Sequence, residues 1–417
     1  MKYGLGALKL TEKDYESLFS VMRSNWLSPG EKVSQFESEF AFAHSQKFGV
    51  MTNSGTDALR IGLLALKEKF GWKDGDWVIV PSVTFPATVN VVLQAGLRPV
   101  LADVKMTDYT LNPENVERRY GFSVHAEKVR AMIPVHLAGK PCDMDALMKL
   151  SRKYGWKVLE DSCECVGVEG ICQGDITAFS FYVAHILTTG VGGMATTNDV
   201  DLKYLMWSYA NHGRRYVKGF EFDRIGYSAR PTEFEAALGL NQLPKLSKII
   251  EKRRENAFYL TRHLEKFPDL ICNFFNDSAC MFLPVLIRES SKVSKRTLMA
   301  HLTLCAVENR ELMPLTNQPC YADLWGDEQP SVAKWINEKG FYIGCHQDLS
   351  REDLDAMIEA FRSFFNGGFC EEEKEARSAV SEELLQAGVC GEGSGESGSP
   401  FRKRAVQATH LPAEGLA

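Results

Sequence analysis

The chain has 417 residues, of which 45% are hydrophobic and 24% are charged, and its formal net charge is -6. This length and composition suit one large and one small globular domain, each with its own buried core. The acidic balance, with no run of Lys and Arg ahead of the short "FRKR" at 401–404, argues against nucleic acid or an anionic membrane surface as a partner.

The N-terminal segment "MKYGLGALKLTEKDY" has no apolar run of the kind found in a secretion signal. Apolar runs elsewhere are interrupted by charges before they reach the ~20 residues that a membrane-spanning helix needs. Eleven cysteines, odd in number and scattered through apolar segments, fit reduced thiols better than a disulfide framework. We therefore expect a cytoplasmic protein with no membrane partner.

Short β-branched runs alternate with helical patterns in the first part of the chain, which is typical of a parallel sheet covered by helices on both faces. Helical stretches such as "DALRIGLLALKEKF" have apolar residues three and four apart. We therefore predict an α/β fold with one seven-stranded, mostly parallel sheet. The seven predicted strands are 47–52, 76–83, 98–104, 131–137, 156–161, 178–183 and 192–197.

The rest of the chain is predicted to divide into two parts. A charged helical run from about Lys245 leads into a mixed pattern that ends in "SREDLDAMIEAFRSFF". Residues 246–366 are therefore expected to form a small α/β C-terminal domain, after an N-terminal segment and large domain at 1–245. The tail, 367–417, contains the low-complexity "GEGSGESGSP" and has little to bury, so we expect it to be disordered.

Three segments near predicted strand ends carry residues suited to a phosphorylated aromatic ligand. In "TNSGTDAL", Gly55 and Thr56 open a helix whose N-terminus suits phosphate, although Ser-Gly-Thr is also a plain helix cap. In "VPSVTFPAT", Phe85 lies just beyond a strand end, where ligands bind in open parallel sheets, although a packing role is also open. In "WKVLEDSCE", Asp161 ends a buried strand and needs a cationic partner, unless it caps a helix.

A fourth segment, "AFSFYVAHILTTGVGGM", adds hydroxyl groups and a possible base. Ser180, Thr188 and Thr189 supply the hydroxyls, and the glycines allow a tight backbone turn. His185 carries an imidazole, which can act as a general base near neutral pH.

Taken together and in this order, these segments resemble the DegT/DnrJ/EryC1/StrS family, the sugar-modifying branch of the pyridoxal-phosphate (PLP) dependent transferases with the aspartate-aminotransferase-like fold, fold type I. The resemblance covers about residues 1 to 366. It implies that the cofactor is pyridoxal 5'-phosphate or pyridoxamine 5'-phosphate (PMP). The blocks that carry it are "NSGTDAL", "VPSVTFPAT", "VHLAGKPCDMD", "VLEDSCE", "FSFYVAH", "TTGVGGM", "NHGR" and "EFEAALGLNQL".

The resemblance implies a role for each matching residue. The backbone at Gly55 and Thr56, together with Ser180, should hold the phosphate. Phe85 should stack on the cofactor ring, and Asp161 should pair with the ring nitrogen so that the ring can accept electrons.

Two further positions differ from the usual family pattern. Glu164 stands where many family aminotransferases have a Gln close to the cofactor. Family members are typically homodimers with the active sites at the interface, where an Asn of the neighbouring subunit reaches the phosphate. Ser228 in "GYSARP" stands at that Asn position, and its side chain is shorter.

The decisive difference is His185, which stands five residues after Ser180, where the family aminotransferases carry their Schiff-base lysine. An imidazole cannot form a Schiff base. The same exchange is found in a subset that the chain resembles, the 3-dehydratases of nucleotide-linked 4-keto-6-deoxyhexoses. These enzymes hold the cofactor non-covalently and regenerate its pyridoxamine form from an amino donor such as glutamate. The resemblance therefore implies C3 dehydration of a nucleotide sugar in deoxysugar biosynthesis, with His185 as the catalytic base.

Some of these dehydratases also hold an iron–sulfur cluster. Cys163 matches one of the cluster ligands, but residues 211–231, where the other three cysteines should follow, contain no cysteine. A metal site formed by Cys163, Cys165 and Cys172 is an alternative, although thiols packed under a sheet edge are favoured. We therefore expect no metal.

Two other functions stay open. The chain is alternatively a sugar aminotransferase that uses free pyridoxamine phosphate with His185 as the proton shuttle, or a non-catalytic cofactor-binding or regulatory homologue. The presence of Phe85, Asp161 and Ser180 favours an active enzyme. His136 and His212 are candidates for contacts to the substrate or to the residues around it, with a structural role as the alternative. Candidates for contacts to a nucleotide diphosphate or an amino-acid carboxylate, with surface salt bridges as the alternative, are Arg214, Arg215 and Arg230.

Overall fold

A computed structural model describes residues 2–6, 8–215, 220–325 and 330–368. The predicted disordered tail therefore lies, from residue 369 onwards, outside the described residues. The strands are β1 (Phe48–Thr52), β2 (Trp77–Pro81), β3 (Arg98–Ala102), β4 (Val129–Met132), β5 (Lys157–Asp161), β6 (Ile176–Ser180), β7 (Gly193–Thr197), β8 (Leu270–Cys272), β9 (Leu283–Ile287), β10 (Asn309–Glu311) and β11 (Gly340–Ile343). The α-helices are α1 (Glu12–Ser24), α2 (Glu31–Ala43), α3 (Gly55–Lys69), α4 (Pro86–Gln94), α5 (Pro113–Val116), α6 (Met144–Tyr154), α7 (Val200–Ala210), α8 (Glu233–Gln242), α9 (Leu246–Leu264), α10 (Lys295–Leu304), α11 (Ala322–Trp325), α12 (Ser331–Lys339) and α13 (Arg351–Phe365).

The first seven strands form one sheet in the order β1-β7-β6-β5-β4-β2-β3. Only the two pairings of β7, with β1 and β6, are antiparallel. The prediction of a seven-stranded, mostly parallel sheet is therefore confirmed. The largest difference in bounds is at β4, which ends at Met132 rather than at 137 because Pro134 cannot donate a backbone hydrogen bond to a strand ladder.

Six of the seven strands run in the same direction, so the segments that follow β1, β2, β5 and β6 meet at one edge of the sheet. This carboxyl edge is where ligands bind in open α/β sheets. The four predicted ligand-binding segments are therefore brought together by the topology alone.

Helices cover both faces of the large sheet. Helices α3 and α7 pack together on one face, where Leu59 and Met206 are buried. On the other face, Phe36 and Phe40 of α2 pack against Phe179 and Phe181 of β6 and the residue that follows it. In α8, a Cβ at Gly239 would lie 2.5 Å from the Phe36 ring, so glycine allows α2 and α8 to pack closely.

The second sheet has four antiparallel strands in the order β10-β11-β9-β8. Its core includes Val285 of β9, Leu260 of α9 and Phe361 of α13. A small α/β unit after the large sheet is thus present. The domain boundary between residues 245 and 246 stays a prediction, because the chain up to Cys370 forms one compact unit.

Two other expectations concern the whole chain. No helix among the described residues has both the length and the apolar character to cross a membrane. Eight of the described cysteines are free thiols, whereas Cys305 is disulfide-bonded, so the expectation of reduced thiols is wrong at that position.

Candidate active site

A cavity of about 550 Å³ opens at the carboxyl edge of the large sheet. One wall comes from the segments after β1, β2, β5 and β6, and the facing wall comes from the second sheet through residues such as Phe282, Arg310 and Tyr342. The structure brings seven of the eight predicted site residues together around this cavity: Gly55, Thr56, Phe85, Asp161, Glu164, Ser180 and His185.

The first corner of the cavity is the N-terminus of α3. The Ser54 hydroxyl accepts a hydrogen bond from the Asp57 N–H at 3.1 Å, which leaves the Gly55 and Thr56 N–H groups without a partner inside the helix. A Cβ at Gly55 would lie 2.6 Å from the Cβ of Ser180, so only glycine lets the helix start so close to β6. Free N–H groups, a positive helix end and the Ser180 hydroxyl form a cradle for a phosphate.

Phe85 is placed at the cavity by β2 and by the start of α4. It is the N-cap of α4 and is followed by Pro86 at the first helical position. Its ring is 59% exposed, although large apolar side chains usually pack inside. An exposed aromatic face on a cavity wall is suited to stacking on a planar ligand.

Asp161 is buried and lines the cavity at the end of β5. Its carboxylate accepts hydrogen bonds from the Thr88 hydroxyl at 2.8 Å and from the Cys163 N–H at 3.2 Å. Among the described residues, no Lys or Arg nitrogen comes within ion-pair distance of it. Burial raises the pKa of Asp161, as expected for a carboxylate that has no cationic partner in the protein. A protonated pyridine nitrogen would supply the missing positive charge.

The neighbouring acid, Glu160, has a structural role. It is fully buried and accepts hydrogen bonds from His136 Nε2 at 2.9 Å and from the Cys172 N–H at 2.8 Å. His136 Nδ1 in turn accepts a hydrogen bond from the Cys142 N–H at 3.0 Å. Both ring nitrogens of His136 therefore bond to protein groups. This favours a structural role for His136 over a contact to the substrate.

Glu164 lies next to Asp161 on the same wall and is also buried. One carboxyl oxygen accepts a hydrogen bond from the Ala138 N–H at 2.7 Å. Burial raises the pKa of Glu164 to about 8, and the nearby charge of Asp161 adds to this effect. At neutral pH the group is therefore mostly a protonated acid that can donate a hydrogen bond into the cavity.

His185 lies in the tight turn after β6, where its backbone N–H donates to the Tyr182 carbonyl at 2.8 Å. Its Nδ1 lies 3.4 Å from the Ser180 carbonyl oxygen, which can only accept a hydrogen bond, so this contact is satisfied by the tautomer that carries the hydrogen on Nδ1. Burial, with a smaller contribution from the positive charge of Arg253, lowers the pKa of His185 to about 4. The imidazole is therefore neutral at neutral pH and can take a proton.

Ser228 is the predicted site residue that does not line the cavity. It is exposed, and its hydroxyl accepts a hydrogen bond from Arg230 at 3.1 Å. Arg215 pairs with Glu221 at the surface. His212 and Arg214 are also exposed and lie outside the cavity lining. The structure therefore does not place these residues in the lining of this chain's own cavity.

Several cavity residues were not predicted from the sequence. Arg310 and Gln318 contribute polar groups to the wall formed by the second sheet, and Cys163 lies beside Asp161. Arg310 lies in a strand of three residues, too short to show a period-two pattern, so no sequence signal marked it. Thr88, whose hydroxyl donates to Asp161, lies three residues after Phe85 in the segment "VPSVTFPAT", and its role was not predicted either.

No group of three or more His, Cys, Asp or Glu side chains that could hold a metal ion occurs within the part of the chain that the structure describes. Cys163, Cys165 and Cys172 do not gather around one point as ligands. The Cys165 thiol donates to the Gly139 carbonyl at 3.2 Å, beneath the sheet edge.

A solved structure of Escherichia coli GDP-4-keto-6-deoxy-D-mannose-3-dehydratase with bound hydrated PLP is similar to the chain, with a TM-score of 0.79 and 26% identity. The match covers 86% of this chain and 98% of that one. The fold, with its cavity at the carboxyl edge of the large sheet, is thus that of the PLP-dependent transferases. Residues 9–362 match the DegT/DnrJ/EryC1/StrS aminotransferase family. The chain belongs to this family.

Similar relatives differ in their reactions. The spore coat polysaccharide biosynthesis protein SpsC of Bacillus subtilis (strain 168) is 31% identical over 85% of this chain and 95% of its own length. A GDP-perosamine synthase of Caulobacter vibrioides is 29% identical over 84% of this chain and 94% of its own length. A solved structure of GDP-4-keto-6-deoxymannose-3-dehydratase with a trapped PLP–glutamate adduct has a TM-score of 0.78 at 25% identity, and covers 86% of this chain and 99% of that one.

Proposed function

We propose that the chain catalyses the C3 dehydration of a nucleotide-linked 4-keto-6-deoxyhexose in deoxysugar biosynthesis. The observation that carries this proposal is His185, a neutral imidazole in the cavity where the family aminotransferases have a lysine. Within the described residues, no lysine side chain lines the cavity. The site can therefore move a proton but cannot hold the cofactor through an amine.

The cofactor is PLP or its pyridoxamine form, and the residues present fit it. When bound, the pyridoxamine form supplies an amine that condenses with the sugar ketone and a ring that accepts electrons. The α3 N-terminus at Gly55 and Thr56, with the Ser180 hydroxyl, would hold the phosphate. Phe85 would pack on the ring, and Asp161 would keep the ring nitrogen protonated.

His185 is the proposed base. Its Nδ1 faces the Ser180 carbonyl, so Nε2 is the atom that takes a proton and can later return it. A pKa of about 4 keeps the ring unprotonated over the neutral range, although it also makes the imidazole a weaker base. Glu164, which holds its proton at neutral pH, is suited to donate a hydrogen bond to an oxygen on the cofactor.

Arg310 is the proposed contact for the anionic part of the substrate or of the amino donor. It is the one Lys or Arg among the described residues that line the cavity, and it is paired with Glu308 at 2.9 Å. A guanidinium fork suits both a diphosphate and an amino-acid carboxylate. Support for glutamate as the donor comes from the PLP–glutamate adduct trapped in the related dehydratase.

Sugar amination is the second candidate function. It is supported by the similarity to GDP-perosamine synthase, which is of the same order as the similarity to the dehydratases. In this case the pyridoxamine amine would stay on the sugar, and His185 would return its proton without loss of the C3 hydroxyl.

Two further proposals concern the protein as a whole. We propose a homodimer, in which Ser228 of one subunit lies near the cavity of the other, because Ser228 is exposed and is not part of its own cavity lining. We also propose a cytoplasmic location, where nucleotide sugars and glutamate are available.

The decisive experiment is a product analysis. The full chain is incubated with PLP and glutamate, the absorbance spectrum is followed, and nucleotide-linked 4-keto-6-deoxyhexoses are then added one at a time. Loss of the C3 oxygen, measured by mass spectrometry, supports dehydration. A stable amino sugar with all its ring oxygens supports the second candidate instead. A chain that binds no cofactor contradicts both.

The role of His185 is tested by substitution. The His185→Lys variant should form a covalent cofactor adduct that borohydride fixes and peptide mapping locates at position 185, and it should lose dehydration. His185→Asn should bind cofactor and lose dehydration without an adduct. His125→Asn is the matched control, because His125 is an exposed histidine that does not line the cavity, and it should behave as the wild type. A borohydride-fixed lysine in the unmodified chain would contradict the proposal.

A further inference from the structure

Arg253 of α9 is fully buried in the described structure. Its Nε donates to Gln347 Oε1 at 3.0 Å, and its Nη1 donates to the Met281 carbonyl at 2.8 Å. Its Nη2 lies 3.5 Å from the carbonyl oxygen of His185. One guanidinium thus joins three separate segments, and one of them is the turn that carries the proposed base.

This arrangement is unusual because the buried cation has no carboxylate partner. No Asp or Glu oxygen lies within ion-pair distance of Arg253 among the described residues, and all its acceptors are neutral oxygens. Burying a charge without an opposite charge is costly. A structural link alone would be made more cheaply by a neutral side chain, so the positive charge needs a separate reason.

The charge lies close enough to His185 to act on its imidazole electrostatically. The contact to the His185 carbonyl also restrains the backbone of the turn. Both effects act on the group that the proposed function uses as a base, and neither requires Arg253 to touch the ligand, since it is absent from the cavity lining.

We propose that Arg253 is a positioning residue for His185: its buried guanidinium anchors the turn at 182–185 to the second sheet and places an uncompensated positive charge beside the imidazole, which disfavours protonation in addition to the effect of burial. The proposal rests on the base function of His185. It extends that function by naming a residue outside the cavity, Arg253, that positions the base and disfavours its protonation.

Other charged and titratable groups lie around His185 and Arg253 and also affect the titration of His185. His346 is buried, and burial and the charge of Arg253 both lower its pKa. Asp348 is the nearest acid that acts on Arg253, but it does not pair with it. The groups to be considered together are Cys163 and Tyr182 beside His185, and Cys280, Cys345, His346 and Asp348 beside Arg253.

The test measures the titration of His185 directly. The full chain is labelled at its histidine rings, and the imidazole signals are followed by NMR from about two pH units below the His185 pKa of about 4 up to neutral pH, with and without PLP. His185→Asn and His346→Asn assign the two signals. In Arg253→Met the midpoint of His185 should rise by roughly one pH unit, because the positive charge is gone. In Arg253→Lys the midpoint should stay low, because the charge remains.

Arg254→Met is the matched control. Arg254 is the next residue of α9 and donates to the Ser278 carbonyl at 2.7 Å, but it makes no contact to the His185 turn. Its substitution should leave the His185 midpoint unchanged. Gln347→Ala removes a partner of Arg253 and keeps the charge, so it gives an independent comparison if Arg253→Met folds poorly: its His185 midpoint should also stay low.

The activity profile separates the two effects of Arg253. In Arg253→Lys, kcat should fall about 10- to 100-fold, because the base is misplaced. The low-pH limb of the kcat–pH profile should stay in place, because the charge beside the base remains. In Arg253→Met, kcat should fall and this low-pH limb should move to higher pH. A His185 midpoint equal to that of the wild type in folded Arg253→Met would overturn the proposal. If the wild type forms no product at all, the proposed function fails, and the NMR comparison still decides the role of Arg253.

Discussion

Glu160 and Asp161 are adjacent acids at the end of one buried strand, and the structure gives them opposite roles. Side chains alternate between the two faces of a strand. Glu160 therefore points into the protein, where it is satisfied by His136 and by backbone N–H groups, whereas Asp161 points into the cavity and has no cation. The sequence shows that two buried acids need partners. Only the fold shows which of them is left for a ligand.

The Asp161→Asn variant tests this distinction. Cofactor affinity should fall by about 10- to 150-fold, since a hydrogen bond to a charged group is worth roughly 1.5–3 kcal/mol. The protein without cofactor should be at least as stable as the wild type, because a buried charge without a partner has been removed. Fluorescence titration with PLP and thermal unfolding measure the two effects.

The control is Asp103→Asn. Asp103 is also buried, but its carboxylate accepts hydrogen bonds from Ser82, Val104 and Val332, outside the cavity. Its substitution should lower the stability and leave the cofactor affinity within twofold of the wild type. Equal loss of stability in both variants would mean that Asp161 is a structural acid as well.

The Glu164→Gln variant tests the protonation state of Glu164. Its pKa is raised from the ordinary 4.5 to about 8 in the folded chain, so the folded state keeps a proton that the unfolded state has lost between these pH values. This contribution to stability is complete below about pH 4.5, falls as the pH rises, and is lost above about pH 8. The melting temperature of wild type relative to Glu164→Gln should therefore decline from pH 5 to 8 and then level off.

The control is Glu311→Gln, which changes an exposed acid on the facing cavity wall. Its melting temperature relative to wild type should not vary over that range. A constant difference between wild type and Glu164→Gln would show that Glu164 is ionised at neutral pH.

At the scale of elements, the strands of the large sheet were predictable and those of the second sheet were not. Strands β1 to β7 have mostly five residues and are buried on both faces, so each leaves an apolar run bounded by turn residues. Strands β8 and β10 have three residues each, which is shorter than any reliable period-two pattern. The parts of the cavity that came from the large sheet were therefore predicted, and those from β10 and its neighbours were missed.

The contact between α2 and α8 gives a prediction at this scale. Glu233, at the start of α8, is buried and accepts hydrogen bonds from the N–H groups of Gly30, Lys32 and Val33, at 2.9, 3.0 and 2.9 Å. It thus satisfies the N-terminus of α2 and complements the positive end of that helix. Glu233→Ala should lower the melting temperature by roughly 2–6 °C.

Glu233→Gln should have an intermediate effect, because the amide keeps one acceptor oxygen without the charge. Glu16→Ala is the control, since Glu16 is exposed on α1, and it should have no effect beyond about 1 °C. Differential scanning calorimetry measures all three. A melting temperature of Glu233→Ala within 1 °C of wild type would contradict this account of α2.

At the scale of the whole molecule, α1 presents an apolar stripe to solvent. Tyr15, Phe19, Met22 and Trp26 are spaced by four, three and four residues, so they lie along one side of the helix and its C-terminal end, and Trp26 is 61% exposed. A contiguous exposed apolar stripe marks an interaction surface. We expect it to be part of the proposed homodimer interface.

The double variant Phe19→Glu, Trp26→Glu should shift the chain from dimer to monomer in sedimentation velocity. In a symmetric interface each subunit contributes both residues, so four apolar side chains are replaced by groups of like charge. It should also bind PLP more weakly, since Ser228 of the neighbouring subunit is lost from the site. Val124→Glu, at an exposed apolar residue away from α1, should stay dimeric. A monomeric wild type would refute the interface and the shared site together.

The lack of a lysine along the cavity, within the described residues, has a consequence for the stability of the protein as well as for the reaction. A cofactor held by reversible contacts alone stabilises the fold by RT ln(1 + [L]/Kd), so the folded fraction follows the free cofactor concentration. A chain that carried its cofactor on a lysine would be largely insulated from such changes. If the cofactor is held without a lysine, as proposed, we expect a fall in the supply of the vitamin B6 cofactor to lower both the occupancy of the site and the resistance of the chain to proteolysis.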